Sequence, residues 1–318
     1  HIVFDYYNKY TTDVLFQTPI TGITGVTSRW QNVGEISNKG VELTIGGDII
    51  RSKDWNWNLE VNLGHNKNMV EKLYGDDPDL QIINGGGIGI AGEADKILKV
   101  GYSSDAFYMK EWAGVNPETG APQFYTNDVD ENGNYIKDIT EEINKAHAIV
   151  LDKHAEPNAI GGLSNTLRYK WFDLNFMFSY QFGGYSYDNW AQKTEHGGND
   201  LEANIPSYYK DSWKKPGDVT KYELFYEKPS VAMNKVTTTR RLHSTDFIRL
   251  KTLTFGFTVP KDWTRKIGIE NVRLYASANN LWTWAAYDYY DPEAVSGGTA
   301  IWGTPPLKTV TFGINVNF

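Results

Sequence analysis

Six histidines, no cysteine and a scatter of carboxylates bound the chemistry this chain could carry. Without a thiol there is no cysteine nucleophile, no thiolate metal ligand and no disulfide framework. His243, Ser244 and Asp246 are the residue types of a nucleophilic triad. No nucleophile elbow surrounds the serine, and adjacency in sequence is not triad geometry. They read as a strand entering from a loop. Asp128, Asp130, Asn132 and Gly133 imitate the opening of a calcium-binding loop, but the twelfth position is Ile139 where a bidentate Glu is needed. A polar turn at Asn132-Gly133 is the better reading, with Asp128, Asp130 and Asn132 kept as a weak calcium candidate. His147 and His154 stand among Glu141, Glu142, Asp152 and Glu156, which read as solvated charge. Gly87 to Gly92 spells GxGxxG, yet a dinucleotide site needs a helix immediately after it, and here a Gly-rich loop runs on toward another strand. The chain is expected to be no enzyme and to carry no cofactor and no metal.

The other functional residue type is aromatic. Trp, Tyr and Phe make up 14% of the chain, with 11 Trp, 20 Tyr and 14 Phe. Such an excess suits interfacial girdles in a membrane and carbohydrate-binding surfaces alike. The elements that carry these side chains decide between the two.

Those elements are strands. From Asp54 to Gly64, Trp55, Trp57, Leu59, Val61 and Leu63 alternate with Asn56, Asn58, Glu60 and Asn62. Successive side chains of a strand point to opposite faces, so one face is apolar and the other wet. Phe172–Phe182 and Thr309–Phe318 repeat the pattern. Each run is about 10 residues, the span of a tilted strand across bilayer hydrocarbon. No apolar run approaches the ~20 residues of a membrane helix, and hydrophobic content is only 40%, as expected when half of each strand faces a wet lumen. A net charge of −8 without a Lys/Arg cluster argues against nucleic acid. The fold expected is all-β: a transmembrane antiparallel β-barrel.

In chain order the strands fall at 2–15, 33–50 (with Asn38-Lys39-Gly40 as a bulge or kink), 54–64, 103–115, 121–127, 160–169, 172–182, 245–259, 272–282 and 307–318. The linkers after the second, fourth, sixth and eighth of these ten are short, near Ser52, Pro117, Lys170 and Lys261. The others are long. Short turns at one end and long loops at the other mark an outer-membrane barrel. The loop aromatics Trp190, Tyr208, Tyr209, Trp213, Tyr289, Tyr290 and Trp302 then lie outside the cell. They serve either as contacts for substrate or a lid protein or as packing over the rim. Trp55, Trp57, Trp171, Trp282 and Phe318, near strand ends, are girdle candidates. His1 opens directly into a strand pattern with no export signal, which reads as the back part of something longer.

Several stretches match one family. Asp5-Tyr6-Tyr7-Asn8-Lys9, Asn32-Val33-Gly34-Glu35, Asn38-Lys39-Gly40-Val41-Glu42-Leu43, Ala113 to Gly120, Asp246-Phe247-Ile248-Arg249-Leu250-Lys251, Ser277 to Leu281 and Tyr290-Asp291-Pro292-Glu293 occur in the family's order over the whole chain. The chain resembles the C-terminal part of the SusC/RagA family of TonB-dependent outer-membrane transporters. The resemblance implies that residues 1–318 are about ten C-terminal strands of a twenty-two-stranded barrel in the outer membrane of a Gram-negative bacterium, its N-terminal plug and earlier strands lying upstream. It implies a SusD-like surface lipoprotein as lid, energy from TonB–ExbB–ExbD through the plug, and glycan or peptide oligomers as cargo. The terminal strand ending in Phe318 also looks like an assembly signal. The alternative from composition is a secreted glycan-binding β-sandwich, with both apolar faces buried in a core.

Overall fold

The computed structural model describes residues 1–19, 28–73, 81–84, 96–200, 202–227, 231, 233–300 and 303–318. Eight strands form the main sheet: β1 Ile2–Pro19, β2 Ser28–Arg51, β3 Trp55–Lys72, β4 Ala159–Tyr169, β5 Phe172–Phe182, β6 Phe247–Thr258, β7 Asn271–Ala285 and β8 Thr309–Asn317. Each pairs antiparallel with the next, so the sheet is one continuous meander.

Register turns the alternation of each strand into a property of the whole wall. Ile2, Ile45, Val61, Leu163, Phe178, Leu250 and Trp282 form one row across seven strands. Two residues along, Leu59, Asn165, Phe176, Leu253, Ala278 and Val310 form another on the same face. Between them, on the opposite face, run Glu60, Ser164, Met177, Thr252, Asn279 and Thr309. Among the described residues no second sheet covers the apolar face: Phe4, Ile45, Phe172, Phe255 and Phe312 are exposed. A soluble sandwich would have to bury them, at about 1.5–3 kcal/mol for each large apolar side chain.

Close cross-strand packing explains several glycines. Tyr7 lies opposite Gly40, Tyr180 opposite Gly161 and Tyr275 opposite Gly313. In each pair the ring lies over the glycine, and a Cβ added there would sit 2.3–2.6 Å from ring atoms. The expected bulge at Asn38-Lys39-Gly40 is therefore corrected. Pairing to both neighbours is regular there, and the glycine answers to the tyrosine. Register shifts fall elsewhere in the sheet, among them between Thr11 and Leu15, at both ends of the β2–β3 pairing (Glu35/Ile36 and Asp48/Ile50), and where β6 skips between Leu250 and Thr252 opposite Asn280. Asp13 and Asn280 take positive φ (56° and 54°), a conformation that Asn and Asp accept better than most side chains.

The expected hairpin over 103–127 is not in the wall, so the sheet has eight of the ten strands. Ala106–Lys110 pairs with Lys96–Lys99 and Ala148–His154, while Trp112–Val115 pairs with Pro122–Tyr125. At five and four residues these strands are too short to cross a bilayer, and Phe107, Met109 and Phe124 are buried in small cores of their own. Removing two consecutive strands leaves the parity of the linkers intact. The connections after β2 and β4 are tight turns, that after β6 is a compact helical one over 259–270, and the three are mutually tied: Lys170 N–H donates to Asp54 O (2.8 Å), and Thr258 N–H donates to Trp171 O (2.7 Å). The Pro117 turn belongs with the long connections at the other end.

The long connections after β3, β5 and β7 pack into one head. Phe107, Ile149 and Leu151 from the first meet Tyr187 and Leu242 from the second. Tyr185–Tyr187 from the second lies between Leu242–Ser244 and Thr299–Ala300, the latter contributed by the third.

Candidate functional site

The head is built around a buried charge network. Arg241 is fully buried. Its Nε donates to Glu195 Oε2 at 3.1 Å and its Nη1 to Met233 O at 3.0 Å. Arg240 Nη1 donates to Glu223 Oε2 (2.5 Å), and its guanidinium lies over the Trp112 ring at 5.0 Å and the Tyr222 ring at 5.4 Å. Two arginines and two glutamates balance, as buried charge must. Burial opposes the charge on Arg240, but Glu223 holds its pKa above the ordinary value.

Tyrosines close over this network. Tyr209 donates to Glu223 Oε1 and Tyr208 to Glu195 Oε1, both at 2.9 Å. Tyr208 stacks on Tyr222 (5.0 Å) and meets Tyr289 edge-on (5.1 Å). Tyr287 continues the cluster to Tyr289, Tyr290 and His243, stacking on the last at 3.7 Å. Its hydroxyl donates to Asp188 Oδ2 (2.6 Å), while Asp188 Oδ1 accepts from Ala191 N–H and caps the short helix Asn189–Thr194. Burial raises the phenols, with Glu195 adding to the effect at Tyr208 and Tyr222; Tyr222 and Tyr290 are pushed up to about 12. Burial lowers His243 to about 4. Near neutrality Tyr208, Tyr222, Tyr287 and Tyr290 therefore keep neutral hydroxyls, and the His243 imidazole is uncharged.

Of the loop aromatics singled out by sequence, Tyr208, Tyr289 and Tyr290 converge here. Tyr209 and Trp213 are buried within the chain. Tyr209 is buried in the network, and Trp213 is buried with its Nε1 donating to Pro117 O (2.7 Å) and its ring against Gly120. Trp190 is half exposed on the short helix. Trp302 lies outside the described residues. Sequence reading missed Tyr222, Tyr287, Glu195, Glu223, Arg240 and Arg241. The adjacent Arg240-Arg241 just before the apolar Leu242 was the available signal.

A second charged cluster ties the head to the wall. Arg249, almost fully buried on β6, donates to Asp291 Oδ2 (2.5 Å) and pairs with Glu293. Lys251 Nζ reaches both oxygens of Glu293, at 2.5 and 2.6 Å. Two stretches apart in sequence, Asp246 to Lys251 and Tyr290 to Glu293, are thus one clip.

No family model matches the chain. It is 31% identical to TonB-dependent receptor P3 of Formosa agariphila over 99% of this chain and 32% of that protein, and 25% identical to TonB-dependent receptor SusC of Bacteroides thetaiotaomicron over 99% and 30%. Among solved structures, the RagAB peptide transporter superposes with a TM-score of 0.81 at 28% identity, covering 100% of this chain and 33% of that one. Over its whole length the chain is similar to TonB-dependent receptors of the SusC/RagA type. It spans about a third of the length of the relatives it matches.

In the wall Trp55 and Trp282 stand exposed on the apolar face at opposite ends, and Trp171 is exposed in the turn between β4 and β5. The Trp55 ring lies 4.3 Å from Tyr169. Trp57 shares that face, and its Nε1 donates to Asn165 Oδ1 (2.7 Å), which satisfies the one amide in its row. Phe318 is exposed beyond β8 at the short-turn end.

Among the described residues, the other sequence motifs lie in local turns and pairs. Asp130 Oδ1 accepts from the N–H groups of Asn132 and Asn134, the polar turn, which holds its carboxyl below the usual range. Asp128 instead lies 3.3 Å from His147 Nε2. His154 Nδ1 is 2.7 Å from Glu156 O. Ser244 Oγ accepts from Asp246 N–H while His243 stacks away on Tyr287. The GxGxxG stretch, 87–92, lies outside the described residues.

Proposed function

We propose that this chain supplies wall, lumen lining and extracellular loops to an outer-membrane active transporter that imports glycan or peptide oligomers. On this reading it is the C-terminal part of a plugged barrel in a Gram-negative outer membrane. The plug lies on an upstream portion of the same protein and draws energy from TonB–ExbB–ExbD. A SusD-like surface lipoprotein covers the mouth. The observation that carries the reading is the combination of one uncovered apolar face and long connections gathered at one end, which makes that end the extracellular one. The apolar rows of the 11-residue β5 rise about 33 Å along the strand, or about 25 Å after a tilt near 40°. Trp55 and Trp171 would mark one interface and Trp282 the other.

Tyr208, Tyr222, Tyr287, Tyr289 and Tyr290 are then a rim platform, with Tyr289 its most exposed ring, whose faces suit stacking on an uncharged oligomer or on the lid. The test is mass spectrometry of the complex extracted from native membranes in mild detergent. This sequence is expected with a plug-bearing N-terminal portion and a lid-type lipoprotein. A lone polypeptide that stays monodisperse without detergent would overturn the reading.

A further inference from the structure

One row on the apolar side of the wall is cationic. The pairing of β2 with β3 is uninterrupted from Ile36 to Asp48, so Lys39, Val41, Leu43 and Ile45 share a face with their partners Lys67, His65, Leu63 and Val61. β1 adds Asn8 opposite Lys39 and Tyr6 opposite Val41. Toward the long-loop end, the rows of this face pass from aliphatic to Tyr6–Val41–His65, and then to Asn8–Lys39–Lys67. Both lysines are exposed. As directly opposed residues of an antiparallel pair their Cβ atoms lie about 5 Å apart, where like charges destabilise.

Neither lysine enters an ion pair among the described residues. Asp5 and Glu42 fall on the opposite face by alternation. Further along, Glu35 accepts from Tyr10 and Glu71 from Ser37. A cavity of about 450 Å³ opens beside Lys67, lined also by His65, Asp152, Lys153, His154 and Glu156.

We propose that Lys39 and Lys67, with the Asn8 amide, bind a phosphate of an anionic lipid headgroup in the outer leaflet, the acyl chains lying down the Leu43–Leu63 and Ile45–Val61 rows. The site rests on the reading that this face lies in the bilayer. A phosphate between the two ammonium groups converts a repulsive pair into a bridge. The aliphatic rows that continue directly below favour a lipid over a free anion, and the cavity leaves room for the sugar of a headgroup.

The test uses the full-length transporter in detergent, with bisphosphorylated lipid A as probe and native mass spectrometry as readout. Wild type is expected to retain lipid A about thirtyfold better than the double variant Lys39→Gln, Lys67→Gln, the attraction of two surface lysines. Dephosphorylated lipid A should not distinguish them. Equal retention of lipid A by both proteins overturns the site. So does inorganic phosphate that displaces lipid A at equal concentration, which would make this a free-anion site. Heat-modifiable migration shows that both proteins fold, and resistance to carbonate extraction scores insertion separately. Failed insertion of wild type removes the membrane reading itself, whereas inserted protein without a retention difference removes only the lipid site.

Discussion

The wall and the head handle polar groups in opposite ways. In the wall, most charged and amide side chains stay on one face, Asn165 and the Asn8–Lys39–Lys67 row excepted, and pairs such as Asp173–Arg273 (2.6 Å) keep partial access to water. In the head, Arg240, Arg241, Glu195 and Glu223 are all buried and depend on one another. The wall tolerates change on its wet face because water remains an alternative partner. The head has no such alternative, so removing one charge leaves another stranded.

The largest effect that would sharpen this contrast is expected from Arg241→Met. Loss of the guanidinium leaves Glu195 without its Nε–H donor and frees the carbonyl oxygens of Met233 and Glu195. A penalty of about 3–5 kcal/mol is expected. It should appear as fast hydrogen exchange across 185–244 with the strands of the wall still protected. Uniform loss of protection would show that head and wall fold as one unit and break the comparison.

Within the wall, faces should differ rather than regions. Phe176→Arg places a charge on the apolar face and should cost about 2–4 kcal/mol in refolding into lipid. Asn175→Arg, next in sequence but beside Asp173 on the polar face, should change stability by under about 1 kcal/mol. Equal damage at both sites would mean a core packed on two sides.

pH should separate the regions again. Burial holds His243 near 4, below its unfolded value of 6.5, so the unfolded chain binds more protons between those values. The head therefore keeps this contribution above about pH 6.5 and loses it as pH falls toward 4, by an amount on the order of 1–3 kcal/mol. His243→Phe should flatten the pH dependence of exchange at Tyr185–Tyr187. An unchanged profile would exclude His243 as its source. A comparable effect, about 1–3 kcal/mol from overpacking, is expected for Gly313→Ala, whose new Cβ meets the Tyr275 ring. Tyr275→Ser in the same protein should relieve it.

These differences also explain what could be read in advance. A period of two is local, so 172–182 was placed to the residue and most wall strands to within a few. β3 runs on to Lys72, past the alternating stretch that ended at Gly64, because its continuation 65–72 pairs with β2 beyond the apolar rows. The Ala106 and Trp112 strands carry the same local signal. Only their partners, more than thirty residues away for Ala148–His154, set them apart from the wall. In the site, exposed ring types were legible one at a time. The bonds of Arg241 to Glu195, at a sequence separation of 46, were not.

The clip between Arg249, Lys251, Asp291 and Glu293 is where the two regions meet, and it gives the smallest expected effect. Lys251 is partly exposed, so its pair with Glu293 should contribute only about 0.2–1 kcal/mol and weaken with salt. Lys251→Gln should slightly speed protease cleavage within 286–300 at low salt, with the difference vanishing at about 1 M. Arg249 is buried between Asp291 and Glu293, so its contacts should resist salt. A Lys251→Gln effect that persisted at high salt would place that pair with the buried charges of the head, and the boundary between water-screened wall and dry head would have to move down onto β6.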